Sequence, residues 1–269
     1  DYSATRSSLL NEKTDNDEIS FDNTSSHINL MQSINERGGF DPLYNTYTEI
    51  KEISELLQKN NIECKTYSGD KGTEQSFKSL VNTQPNILHI ASHGIYINLG
   101  KKSDYVKKNN FTFILPEDED NLHPEDVALT RSFIVMSSGN QLIQRDSIPL
   151  HDEDGIVTAQ EISHMDLHKT DLVVLSACES GLGDITNEGV IGLQRGFKKA
   201  GVNTILMSLD KVDDEATRIL MVEFYKNLMS GKTKLQSLKD AQKYLRTTEN
   251  GKYSDPKYWA SFIMLDGLN

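Results

Sequence analysis

A thiol and an imidazole stand just past two short apolar runs, and their pairing is where the chain's nucleophilic chemistry would lie. Cys178 follows one run in Asp171-Leu-Val-Val-Leu-Ser-Ala-Cys-Glu-Ser-Gly-Leu-Gly183, and His93 follows the other in Asn86-Ile-Leu-His-Ile-Ala-Ser-His-Gly94. A cysteine attacks as its thiolate, so it needs a lowered pKa or a base beside it; imidazole supplies that base and later returns the proton. Each run reads as a strand buried on both faces, the pattern of a parallel sheet between helices. Open α/β sheets place ligands at the carboxyl ends of such strands. The two residues are far apart in the chain, so only the fold can bring them together. A lone cysteine and a distant histidine are a weak signal without a local signature, and a free cysteine is often a small core residue.

The local signatures are present. His89-Ile-Ala-Ser-His-Gly94 and Leu175-Ser-Ala-Cys-Glu-Ser-Gly-Leu-Gly-Asp184 closely resemble motifs of the CHAT-domain family of caspase-like cysteine peptidases. So do Glu188-Gly-Val-Ile-Gly-Leu-Gln-Arg-Gly196, the segment to Leu209 and Lys211-Val-Asp-Asp-Glu-Ala-Thr217. The tail Asp255-Pro-Lys-Tyr-Trp-Ala-Ser-Phe-Ile-Met-Leu-Asp-Gly267 resembles that family's last strand, and the likeness runs from about Thr46 to Leu268. It implies an α/β fold, a caspase-like three-layer sandwich with a mostly parallel central sheet and helices on both faces. It also implies a cysteine endopeptidase that works through an acyl-enzyme and needs no cofactor. Cys178 would be the nucleophile and His93 the acid and base, with the backbone N–H groups of Gly94 and Cys178 as the oxyanion hole. A glycine at 94 would let the chain approach the carbonyl closely.

One position departs from the pattern. Relatives commonly read Ser-Leu-Trp-x-Val-Asp-Asp where this chain has Ser208-Leu-Asp-Lys-Val-Asp-Asp214. Caspase-like folds build there the wall of the pocket for the residue before the cut. A carboxylate at Asp210 in place of an apolar ring would favour Arg or Lys in that pocket, because the substrate then supplies the missing charge. The competing reading turns Asp210 to solvent or makes it the cap of a helix starting near Asp213.

The elements that must position these residues follow from periodicity and capping. Ile50, Ile53, Leu56 and Leu57 mark one face of a helix over Thr46 to Lys59. "IECKTYSG" (62–69) reads as a strand, and Thr73 to Leu80 as a second helix with Thr73 at its cap. With the His93 strand they make two crossover units of a parallel sheet, expected to be right-handed. Residues 97–157 hold apolar pieces at Phe111 to Leu115 and Phe133 to Met136, read as short strands in long loops. Such loops are usually functional or disordered, and the sequence leaves open a substrate groove or an unstructured insertion. Thr158 to His164 reads as a short helix capped by Thr158 or Asp154. A helix is expected from Asn187 to Ala200, where Gly189, Gly192 and Gly196 point to close packing on the sheet. A strand at Gly201 to Leu209, helices at Asp213 to Met229 and Leu235 to Arg246, and a closing strand complete the order.

Residues 1–42 are polar and read as an arm or loop with one short helix at most, as the truncated start of the domain, or as disorder; residues 43–269 are expected to form the peptidase domain. The chain opens with Asp, as a fragment or processed product would, and a regulatory helical-repeat or sensor module is expected on the missing N-terminal side. A net charge of −12 and a pI near 5.0 argue against direct nucleic-acid binding, which runs on Lys and Arg neutralising phosphates. The partner is therefore a protein or peptide, with basic faces favoured. No apolar window spans a membrane. Cys64 and Cys178 form no disulfide framework, which points to a reducing, cytoplasmic compartment. His89 and His93 on one strand stand too far apart to share a metal. His164 and His168 lack companion ligands, so no metal is expected. The alternatives are a non-catalytic interaction or signalling module and a small-amide hydrolase using the same dyad.

Overall fold

A computed structural model of the chain describes residues 43–96, 129, 132–137, 155–176, 183–186, 189–210 and 212–266. In chain order these form α1 (Tyr44–Lys59), α2 (Glu74–Lys78), α3 (Leu80–Thr83), β1 (Ile87–Ile90), β2 (Gly94–Tyr96), β3 (Ser132–Val135), β4 (Ile156–Thr158) and α4 (Ala159–Ser163). Then come β5 (Leu172–Leu175), β6 (Gly183–Thr186), β7 (Gly189–Gly192), α5 (Leu193–Lys199), β8 (Thr204–Ser208), α6 (Asp214–Met229), α7 (Lys234–Thr247) and β9 (Phe262–Leu265).

The central sheet runs β1-β5-β8-β9; the first two pairings are parallel and β9 is antiparallel on β8. Every residue of β5 is fully buried, which is why its sequence is apolar without alternation. Val173 and Leu175 point into one layer with Ile205, Met207, Phe197 and Ile162. Leu172 and Val174 point into the other with Leu206, Leu220, Phe224 and Leu238. Helices α4 and α5 cover the first face, and α1, α6 and α7 the second. The expected three-layer α/β sandwich with a mostly parallel sheet is the architecture found.

Capping chemistry sets the helix starts. Thr158 Oγ1 accepts from the Glu161 N–H, and the Glu161 carboxylate accepts in return from the Thr158 N–H, a complete capping box at α4. Replacing Thr158 with alanine should lower the urea-unfolding free energy by about 1 kcal/mol. An unchanged urea midpoint would show the cap to be idle. At α2, α6 and α7, Thr73, Asp213 and Thr233 cap through one bond each, accepting from the N–H groups of Ser76, Ala216 and Gln236.

Two expected elements differ. Residues 62–68 form no strand: nothing among the described residues pairs with them, and only Cys64 and Tyr67 are even half-buried, so the segment has no apolar face to bury. The crossover expected through this segment falls with it. The helix expected from Asn187 begins only at Leu193. Gly189 to Gly192 instead pairs antiparallel with β6, as its β-branched Val190 and Ile191 between two glycines favour. Gly196 is indeed a close-packing point, but against α4 rather than the sheet, since a Cβ there would lie 2.5 Å from the Ala159 carbonyl oxygen. The polar arm at 1–42, the strand at 111–115 and most of the 97–157 loops lie outside the described residues.

Candidate active site

β1 ends at Ile90, and Ala91 and Ser92 carry the chain to His93 at the edge of the sheet. Its backbone is tied to the small antiparallel sheet β2-β3-β4. The Val135 N–H donates to the His93 carbonyl at 3.0 Å, and the Ser92 hydroxyl donates to the Val135 carbonyl. Gly94 follows at once, buried and paired with Ile134. On the neighbouring strand, the Ser176 N–H donates to the Ile90 carbonyl at 2.9 Å, extending the parallel pairing one residue past Leu175. Cys178 lies outside the described residues, two positions beyond Ser176.

His93 lines a cleft together with Ser92, Ser176, Glu49, Asp214 and Thr217. Glu49 comes from α1; Asp214 and Thr217 come from the first turn of α6. None of these three was singled out by spacing in the sequence. Glu49 left one trace: it stands four before Ile53 on the helix face that enters the core, where a carboxylate is out of place. It is 3% exposed.

His89 accounts for that burial. On β1, it contacts Glu49 Oε1 through Nε2 at 2.8 Å and the Tyr225 hydroxyl through Nδ1 at 3.2 Å. Burial, and then the negative charge of Glu49, push the Tyr225 phenol well above its usual range, so it keeps its proton. The other histidine pair divides its contacts locally: His164 Nδ1 meets the Gln160 carbonyl at 2.7 Å and His168 Nδ1 meets Asp166 at 2.5 Å.

Asp210 is exposed, on the turn after β8, and does not line this cleft. Its N–H donates to Ser208 Oγ, and that hydroxyl donates to the Asp210 carbonyl at 2.6 Å. The cap of α6 is Asp213, whose carboxylate accepts from the Ala216 N–H at 2.9 Å.

A three-layer sandwich on a mostly parallel sheet, with a histidine just past the carboxyl end of one of its strands, is consistent with the caspase-like architecture. Within that class, the CHAT domain family model matches residues 4–267, and the chain belongs to this family. Two curated relatives are named tetratricopeptide repeat protein 28. The mouse (Mus musculus) protein is 26% identical over 237 residues, and the human (Homo sapiens) protein is 26% identical over 245. Each alignment covers 88% of this chain but only 9% of the relative, so the chain corresponds to a small part of much longer proteins. Among the described residues, no helix is long and apolar enough to cross a membrane.

Proposed function

We propose that the chain is a cysteine endopeptidase acting on a protein substrate, with Cys178 as nucleophile and His93 as general acid and base. The observation that carries this reading is the register of two neighbouring strands. Ile90 stands opposite Leu175 in a parallel pair, so His93 and Cys178 each follow three residues after a matched position. Parallel neighbours lie about 4.8 Å apart, close enough for two such tips to share a proton. His93 takes the thiol proton, the thiolate attacks the peptide carbonyl, and the acyl group passes to sulfur as the protonated imidazole supplies a proton to the leaving amine. Water, deprotonated by His93, then releases the acid and restores the thiol. The N–H groups of Gly94 and Cys178 serve as donors to the oxyanion in this scheme.

Arg or Lys before the cut is part of the proposal; Asp210, the carboxylate the sequence offered for that choice, stands outside the cleft beside His93, so in this reading other acidic groups in the cleft would receive the cation. A helical-repeat or sensor module on the N-terminal side is the proposed regulator; the name of the two longer relatives, which announces tetratricopeptide repeats, supports it. A reducing, cytoplasmic compartment suits a thiol that must stay reduced.

The test is covalent labelling with paired chloromethyl ketones, one with Arg and one with Leu before the warhead. Labelling by the Arg probe, absent in Cys178→Ala, is expected. Labelling by the Leu probe alone would keep the peptidase and remove the basic preference. If neither probe labels the chain with its N-terminal module attached and activated, the chain acts as an interaction module instead.

A further inference from the structure

We propose that the cleft beside His93 is a cation subsite, in which Glu49 and Asp214 receive the guanidinium or ammonium group of a substrate Arg or Lys and Ser176 Oγ adds a neutral acceptor. Assigning that cation to a substrate side chain rests on the peptidase reading; the existence of the subsite does not.

The setting of Glu49 is the first support. Its side chain is almost fully buried yet reaches the cleft wall. His89, whose Nδ1 is the hydrogen-bond partner of the buried Tyr225 hydroxyl, meets Oε1 of Glu49 through Nε2 at 2.8 Å. Among the described residues, no Lys or Arg pairs with Glu49. A buried carboxylate is costly without partners, so a cation entering the cleft gains by joining it.

The second support is the company Glu49 keeps. Asp214 lines the same cleft, and its carboxylate is spared capping duty because Asp213 performs it. Among the described residues, no Lys or Arg lines the cleft. Arg218, the cation nearest in sequence on α6, is held by both oxygens of Glu52, at 2.8 and 2.9 Å. The third support is Ser176: the residue is 8% exposed, lines the cleft, and its hydroxyl is buried without a hydrogen-bond partner among the described residues. Buried polar groups in folded proteins are nearly always paired, so an orphan hydroxyl in a cleft that it shares with two carboxylates marks the place of an absent polar partner. A guanidinium, with its planar fork of N–H groups and permanent charge, matches acceptors of this kind.

The experiment titrates the full chain with propylguanidinium, and with propylurea as its neutral isostere, by NMR chemical-shift perturbation. Binding of the cation but not the urea is expected. Glu49→Gln and Asp214→Asn should each weaken it about tenfold, the scale of one charge-assisted hydrogen bond. Asp210→Asn, outside the cleft wall, should change it less than about twofold by screened long-range attraction. Absence of binding, or binding indifferent to both Glu49→Gln and Asp214→Asn, overturns the subsite. If Glu49→Gln fails to fold because the residue is buried, the exposed Asp214→Asn decides alone. Cation binding with an unreactive Cys178 would sink the peptidase and keep the subsite. Hydrolysis of Leu peptides without cation binding would do the reverse.

Discussion

Cys178→Ala should abolish peptide hydrolysis, and adding His93→Ala to it should make the loss no larger. The two residues are proposed to act in one proton-coupled step, so removing either leaves the other without a task. Residues that act as a unit show this non-additivity, with single losses of about 10⁴-fold or more. Structural damage would behave differently: two independent injuries to the sheet edge would multiply. The measurement is turnover of a fluorogenic peptide by the four members of the cycle, with circular dichroism to confirm the fold of each. His93→Ala retaining activity within about tenfold of the parent would remove His93 as acid and base, leaving Cys178 to find its proton elsewhere. The tie between Val135 and the His93 backbone should survive the substitution, because it uses main-chain atoms alone.

Gly196→Ala should destabilise the protein by about 2 kcal/mol, against the usual expectation for a helical glycine. In an open helix the change would gain about 1 kcal/mol from propensity. Here the new Cβ would meet the Ala159 carbonyl oxygen at 2.5 Å and its carbonyl carbon and Cα at 3.1 Å. These are backbone atoms, so no side-chain rotation relieves the clash. Nor is α4 free to retreat, since its first turn is locked by the Thr158–Glu161 capping box and its Ala159 and Ile162 are fully buried. Overpacking of this kind costs about 1–3 kcal/mol, and the larger part of that range applies where both sides are main chain. Urea unfolding followed by tyrosine and tryptophan fluorescence reads the effect, and a midpoint equal to or above the parent's would contradict it.

Strands buried on both faces were the most legible part of the sequence. Leu172 to Leu175 and Thr204 to Ser208 needed only their composition, and α6 and α7 needed only caps and periodicity. Residues 62–68 misled because β-compatible residues are not a strand until something pairs with them. Asn187 onward misled because the glycine spacing looked helical while the residues between favoured a hairpin. The His93 tip was legible through its motif. The wall facing it was not, since Glu49 and Asp214 lie on helices 165 residues apart and meet only when α1 and α6 pack together. Asp210 drew attention as a departure from a pattern, yet the carboxylates within the cleft sit on either side of it in the chain, at positions that no periodicity marks.

The hold that β3 keeps on Ser92 and His93 separates two kinds of failure. β5 and β8 are each paired on both sides within the central sheet, whereas the histidine's backbone is held by a separate three-stranded sheet in which only β3 has two neighbours. Separate hydrogen-bonded units can open at free energies below that of global unfolding. As temperature rises, the imidazole should lose its aim while the sandwich still stands, so the proposed catalysis and the fold would have separate melting points. A regulator gripping the small sheet would then raise the first without touching the second.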